Sequence, residues 1–161
     1  MAKAGPETDR QGAFIIKDDP RGSALNLFAD SSALAKRYIA DEESDDFDEL
    51  LQQATGFSVS VLCVPEIISA LCRRRRERTL TPAQYAAAKS ALEADLADAT
   101  VIQITDEVLL DGVRLLETNG LRASDAIQIA SALAWHSDMF VSADARQCAA
   151  AKTSGLSVVK L

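Results

Sequence analysis

At 161 residues the chain is long enough for one domain with one sizeable core. With 48% hydrophobic and 25% charged residues its composition is ordinary for a globular protein, and no apolar run approaches the roughly 20 residues that cross a bilayer, which excludes a helical membrane protein. A net charge of −7 excludes a protein that simply coats nucleic acid, because phosphate neutralisation needs a basic surface, so any nucleic-acid role requires a local basic patch. An acidic balance also suits carboxylates gathered around cations, or plain solubility. Three cysteines (Cys63, Cys72 and Cys148) are an odd count without a disulfide framework. The start of the chain has no basic segment followed by an apolar stretch. Together these point to a reducing, cytoplasmic setting with the cysteines as small core residues.

Residues 1–24 are polar and mixed in charge, with Gly5, Pro6, Gly12, Pro20 and Gly22 among them. Only Phe14-Ile15-Ile16 interrupts that character, so the segment reads as a flexible N-terminal extension ahead of a domain spanning 25–161. Leu25–Ala29 is then a short apolar strand ending at Asp30. Ser31–Ala40 and Ser44–Ala54 read as helices, and Phe57–Val61 as a second strand. Pro65 suits the first turn of a helix running to about Arg78. Thr81-Pro82 is an N-cap with proline at the first helical position, opening an Ala-rich helix to Asp98. Val101–Ile104 is a strand, and Thr105 caps a helix that stops near Gly120, a candidate C-terminal glycine. Ala123–Trp135 is helical, Met139–Ser142 a strand, Ala145–Thr153 a helix and Ser157–Lys160 a last strand. Short continuous apolar strands separated by helices indicate a parallel sheet covered on both faces.

In such a sheet, binding groups gather beyond the carboxyl ends of the strands. Asp30 directly follows the first strand, and Asp144 lies two residues beyond Ser142. Glu66 opens a helix shortly after the Phe57–Val61 strand. Asp125 sits in the first turn of the helix that feeds the Met139 strand. That strand must enter the sheet at the far edge, so the helix begins near the carboxyl edge. All four acids therefore share one rim. Singly, each has a local explanation: Asp125 complements a helix dipole, Asp144 caps its helix, and Glu66 is a first-turn acid. Jointly they repel and raise one another's pKa, so a stable fold gathers them only with a compensating cation. All-oxygen ligands suit Mg²⁺ or Mn²⁺, which can activate a water and stabilise the leaving oxygen of a phosphodiester. Other chemistries lack their parts. The single histidine, His136, reads as a surface imidazole near a helix end. There is no Cys/His zinc spacing, no G-x-S-x-G elbow and no G-x-x-x-x-G-K-[ST] phosphate loop.

Four stretches carry a family resemblance: FADSSALAKRY (28–38), VPEIISAL (64–71), LRASDAIQIASAL (121–133) and FVSADARQCAAAKTSGLSVV (140–159). In this order and spacing they resemble the PIN-domain family, most closely the VapC-type toxins of bacterial toxin–antitoxin pairs. The resemblance implies a three-layer α/β/α sandwich with a mostly parallel central sheet. It implies Mg²⁺- or Mn²⁺-dependent endoribonuclease activity, a homodimer, and a small cognate antitoxin that occludes the site. Asp30, Glu66, Asp125 and Asp144 fall on the family's acidic, metal-holding positions. Ser142 falls where the family often has Thr or Ser, as a polar helper near the metal. Ser31 follows the first acid, where it could orient that carboxylate. Two features depart from the pattern. Residues 1–24 precede the point where the family usually starts, and Ala145 stands where an Arg or bulky residue commonly follows the last acid, with Arg146 next as a phosphate-contact candidate.

Arg73, Arg74, Arg75, Arg76 and Arg78 form the only dense basic patch. Four consecutive helical positions point all around the axis, so this helix end must project beyond the core. Its cations either contact RNA phosphates or a partner chain, or simply complement the helix dipole in solvent. Two other classes compete with the nuclease. A receiver-type signalling domain also gathers acids at a sheet rim and ends a strand in lysine, here Lys160. It needs paired acids after the first strand, however, and Asp30 is followed by Ser31 and Ser32. A catalytically silent PIN-like module that binds RNA or protein is the other, and the presence of all four acids argues against it.

Overall fold

The computed structural model describes residues 25–39 and 44–161, together with two short segments nearer the N-terminus. Those segments, β1 (Glu7–Thr8) and β2 (Phe14–Ile15), pair antiparallel. The rest of the expected flexible extension, and Ala40 at the end of the expected first helix, lie outside the described residues.

Five strands form the main sheet: β3 (Asn26–Ala29), β4 (Gly56–Ser60), β5 (Thr100–Ile102), β6 (Met139–Ser142) and β7 (Ser157–Lys160). Their order is β5-β4-β3-β6-β7, and every neighbouring pair is parallel. The chain thus builds outward from β3 on one side, then returns to build outward from it on the other. Numbered within this sheet, the order is 3-2-1-4-5. A receiver domain has the order 2-1-3-4-5, so the topology rules out the receiver-type reading.

Successive strand side chains point to opposite faces, and the two halves of the core follow that alternation. Leu27, Ala29, Met139 and Val141 face α1 (Ser31–Ala35), α2 (Ser44–Gln53), α3 (Cys63–Arg76) and α4 (Pro82–Asp98), packing with Leu34, Phe47, Ile67 and Leu92. Phe28 and Phe140 face α5 (Asp106–Thr118), α6 (Ala123–Ala134) and α7 (Ala145–Thr153), packing with Val108, Ile129 and Ala151. The two phenyl rings stack at 5.7 Å with 9° between their planes. Each is fully buried, a contribution of about 1.5–3 kcal/mol apiece. Cys63 and Cys148 are buried in this core, Cys72 is half-buried, and all three are free thiols. No helix among the described residues is long and apolar enough to cross a membrane.

Thr81 and Gln84 close a reciprocal capping box at the start of α4, and the Thr105 hydroxyl accepts from the Val108 amide to start α5. Several boundaries shift by a residue or two from expectation, β5 among them, which ends at Ile102 rather than Ile104, and three helix ends differ for a visible reason. Helix α1 stops at Ala35, because the amides of Lys36, Arg37 and Tyr38 reach back three residues rather than four. Arg37 and Tyr38 meanwhile reach across to Asp95 on α4, at 2.6 and 2.5 Å. Helix α3 ends at Arg76, and Arg78 takes a left-handed backbone with φ of 58°. Helix α5 ends at Thr118 without a left-handed glycine. Asn119 is extended and its side-chain amide donates to the Leu115 carbonyl, so Gly120 is not needed as a cap.

Candidate functional site

The strand order reverses direction between β3 and β6, and open α/β sheets bind ligands in the crevice at such a point. The carboxyl ends of both strands are pinned there by the Asp30 amide donating to the Val141 carbonyl at 3.0 Å. Asp30 leaves β3 at that point and Ser142 ends β6.

Asp30 is only 3% exposed. Its carboxylate caps α1 by accepting from the Ala33 amide at 2.8 Å. It also accepts from the Ser32 hydroxyl at 2.8 Å and from the Ser142 hydroxyl at 2.8 Å. Burial pushes this carboxyl up to about 6, against the downward pull of those three donors, and the nearby Glu66 adds to the rise. Ser32 and Ser142 are themselves fixed, Ser32 accepting from the Ala143 amide and Ser142 from the Asp144 amide. The residue that orients Asp30 from α1 is therefore Ser32. The expectation for Ser31 is corrected: its hydroxyl donates to Glu66 instead. Side-chain direction explains the exchange. Ser31 and Ser32 are adjacent in a helix and point about 100° apart.

Glu66 lies in the first turn of α3. Its Oε2 accepts from Ser31 and from the side-chain amide of Gln128 at 2.8 Å. That same amide donates to Ser31 at 2.6 Å, so one buried glutamine from α6 fixes both. Asp125 sits in the first turn of α6, where its Oδ2 accepts from the Arg122 amide at 3.2 Å. Burial raises its carboxyl above the usual range, and the charges of Asp144 and Glu66 push the same way. Asp144 caps α7, accepting from the amides of Arg146 and Gln147. Gln147 ties the two halves together. Its amide donates to the Asp125 carbonyl at 3.3 Å, and its Oε1 lies 3.2 Å from the Ser142 hydroxyl.

The four acids thus stand on one rim, where Asp30 feels the charge of Glu66 and Asp125 those of Asp144 and Glu66, yet they are not drawn to a point. No three acidic, histidine or cysteine side chains among the described residues form a ready-made metal cage. Each carboxylate is turned toward amides or hydroxyls of its own surroundings, the arrangement that least brings like charges together. The donor set nonetheless suits a hard divalent cation. It is all oxygen, and a carboxylate holding two or three hydrogen bonds keeps acceptor capacity. None of the four acids makes an ion pair with Lys or Arg among the described residues. Gln128 Oε1, beside Glu66, is buried without a hydrogen-bond partner, an open acceptor where a cation's hydration water would fit.

The basic candidates lie outside this network. Arg73 and Arg76 are exposed on α3, Arg74 is half-buried, Arg75 stacks over the Tyr85 ring at 4.9 Å, and Arg78 follows the helix end. Arg146 is exposed in the first turn of α7 and lines a separate groove with Asn119, Gly120 and Leu121. His136 is exposed just past α6 with φ of 54° and joins no site. Sequence reasoning missed Ser32, Gln128 and Gln147. Gln128 and Gln147 each lie three residues after an acid, one helical turn on, and each interrupts an apolar helix face. A glutamine in that place is the signal that was available.

The family model for the PIN domain matches residues 27–153. Among proteins of curated function no sequence match is found. Solved structures share the architecture at low identity. A toxin–antitoxin complex from Klebsiella pneumoniae is 16% identical, covering 84% of this chain and 96% of that one, with a TM-score of 0.60. VapC20 of Mycobacterium tuberculosis, a toxin that cleaves the sarcin–ricin loop, is 16% identical over 84% of this chain and 100% of that one, with a TM-score of 0.63. A protein from Pyrobaculum aerophilum is 23% identical over 85% of this chain and 92% of that one, with a TM-score of 0.62.

Proposed function

The chain belongs to the PIN-domain family, and from that premise we propose that it is a VapC-type toxin that hydrolyses RNA phosphodiester bonds at the Asp30 rim. The observation that carries this reading is Asp30 itself. A carboxylate buried at the sheet's switch point, raised toward neutrality and without a basic partner among the described residues, is costly to a fold unless a cation shares it. Asp30, Glu66, Asp125 and Asp144 would hold Mg²⁺ or Mn²⁺. When bound, such an ion supplies Lewis acidity toward water and phosphate.

The chain's own residues supply position. Ser32 and Ser142 hold the Asp30 carboxylate against rotation, and Ser31 and Gln128 hold Glu66. Gln147 keeps the starts of α6 and α7 in register, and with them Asp125 and Asp144. A site fixed this way presents its charges before substrate arrives, so little reorganisation is left for the reaction. In hydrolysis, water oxygen bonds to phosphorus, the bond from phosphorus to one ribose oxygen breaks, and the water's proton ends on that leaving oxygen. No side-chain nucleophile is needed: the hydroxyls of Ser32 and Ser142 beside Asp30 are spent in hydrogen bonds to it, and the remaining candidate there among the described residues is the Cys63 thiol. Burial pushes that thiol up to about 12, so it is protonated and inert.

The reading includes two protein partners. A small antitoxin is supported by the fold's neighbours, several of which are toxin–antitoxin complexes. A second copy of this chain is supported by α5, where Leu109, Val113 and Leu116 align on one face beside Leu110, all at least 40% exposed. The test of the central function is sequencing of RNA ends in cells after induction of the protein, with Asp30→Asn as control. New discrete ends are expected only with the wild type. Identical end profiles from both proteins would overturn the reading.

A further inference from the structure

The arginine run is the feature that the rim does not absorb, and the geometry separates its members. Counting 100° per residue from Glu66, Ser69 falls 60° to one side, Ala70 40° to the other, and Arg73 within about 20° of Glu66 itself. Arg75 falls on the opposite side of the helix, and its stacking over Tyr85 of α4 agrees with that direction. Arg74 and Arg76 lie to the two flanks. The surface bears this out: Pro65, Glu66, Ser69, Ala70 and Arg73 line one open groove of about 390 Å³ along α3. Glu66 forms one end of the groove and Arg73 the other, two helical turns and about 10 Å away. Neither Ser69 nor Ala70 between them obstructs it. The Arg73 guanidinium is exposed and makes no ion pair or hydrogen bond with the described residues.

We infer that this face of α3 is the track along which a single RNA strand enters the site, with Arg73 holding a phosphate next to the one cleaved. The inference rests on the nuclease reading above and adds to it a direction of approach and a named contact. A guanidinium is a planar, permanently charged donor suited to phosphate, and one that lies unpaired on an otherwise acidic protein is left for an anion. A strand is favoured over an acidic protein segment because the groove shares Glu66 with the rim, and substrate must reach that carboxylate. Arg73 also repairs a defect in the rim. Four acids repel a polyanion, so a cation at the approach is needed to hold the strand before its phosphate reaches them.

The experiment measures binding of a fluorescent single-stranded RNA by fluorescence anisotropy. It uses the Asp30→Asn protein in EDTA, which binds without cleaving, across a series of salt concentrations. Arg73→Gln in this background should weaken binding about five- to tenfold at low salt, equally for unrelated sequences. It should also lower the slope of log affinity against log salt by about 0.7, the value for one phosphate contact on a single strand. Arg75→Gln carries the same loss of charge on the opposite face and should leave affinity and slope near the parent's. Thermal melts should show both variants folded, since Arg73 is exposed and unpaired among the described residues and Arg75→Gln removes only one exposed cation–π contact, to Tyr85. Unchanged affinity and slope in Arg73→Gln, while the wild type cleaves RNA, overturns the inference and leaves the nuclease reading standing. Equal losses in both variants overturn it as well, by assigning the effect to net charge. An oligoglutamate peptide that binds through Arg73, where RNA does not, assigns the groove to a protein partner. If no RNA is bound or cleaved by any form, the nuclease reading fails and the track with it.

Discussion

Replacing Asp30 by Asn should make the metal-free protein more stable while abolishing its chemistry. The substitution removes a buried charge without removing a helix cap, since Asn caps as well as Asp. Its Oδ1 can keep the Ala33 amide, and its amide hydrogens then face Ser142. That serine can turn its own hydrogen onto Gln147 Oε1, 3.2 Å away, and accept instead. The magnitude follows from the raised carboxyl. Moving from 3.8 to about 6 corresponds to about 3 kcal/mol, as an upper bound. The folded-state value lies above the unfolded one, so the penalty on folding is full above about pH 6. It shrinks as pH falls and is gone below the unfolded value. Urea and thermal unfolding of both proteins in EDTA should therefore place Asp30→Asn ahead by up to about 3 kcal/mol at pH 7.5, or on the order of 5–10 °C in Tm. The gap should close toward pH 4. Adding Mg²⁺ at neutral pH should raise the wild type alone and narrow the gap by mass action. An Asn variant less stable than wild type at pH 7.5, or a gap that does not change with pH, would refute the reasoning.

Three other outcomes test separate parts of the structure. Gln128→Leu removes the amide that holds Glu66 and Ser31, so kcat for RNA cleavage should fall about 10- to 100-fold with KM little changed. Stability should fall by no more than about 1–3 kcal/mol, since Glu66 and Ser31 lose a donor while the unpartnered buried Oε1 is removed with it, and the kcat loss is read per folded molecule. Asp95→Ala strips the shared acceptor from Tyr38 and Arg37, both partly buried, and should cost about 1–3 kcal/mol in urea unfolding with unchanged activity per folded molecule. Leu110→Glu combined with Val113→Glu places charge on the exposed face of α5; sedimentation velocity should show a dimer becoming a monomer, and an unchanged sedimentation coefficient would remove α5 from the interface.

Much of this was legible in the sequence because it depends on local pattern. Met139–Ser142, Ala145–Thr153 and Ser157–Lys160 take the expected bounds, since short apolar runs and a capping aspartate leave few alternatives. The rim was legible too, because Asp30 and Asp144 follow strands directly and strand ends fix position in a parallel sheet. What escaped was set by contacts distant in sequence. Helix α1 ends early because Arg37 and Tyr38 are drawn to Asp95, which belongs to another helix. The exchange of roles between Ser31 and Ser32 depends on which way α1 is rotated, and periodicity over five residues cannot fix that. The role of Gln128 is not legible in the sequence because one polar residue in an apolar helix carries no assignment until its partner, Glu66, is known.

The most direct test of the central claim is cleavage of purified RNA by the wild type and Asp30→Asn at equal concentrations. Both should be assayed with Mg²⁺ or Mn²⁺ and with EDTA, after melting has shown both to be folded. The wild type should cleave only with metal, and the Asn variant should be at least about a hundredfold slower despite its equal or greater stability. Cleavage by Asp30→Asn at the wild-type rate, or by the wild type undiminished in EDTA, would contradict the assignment of this rim as the active site.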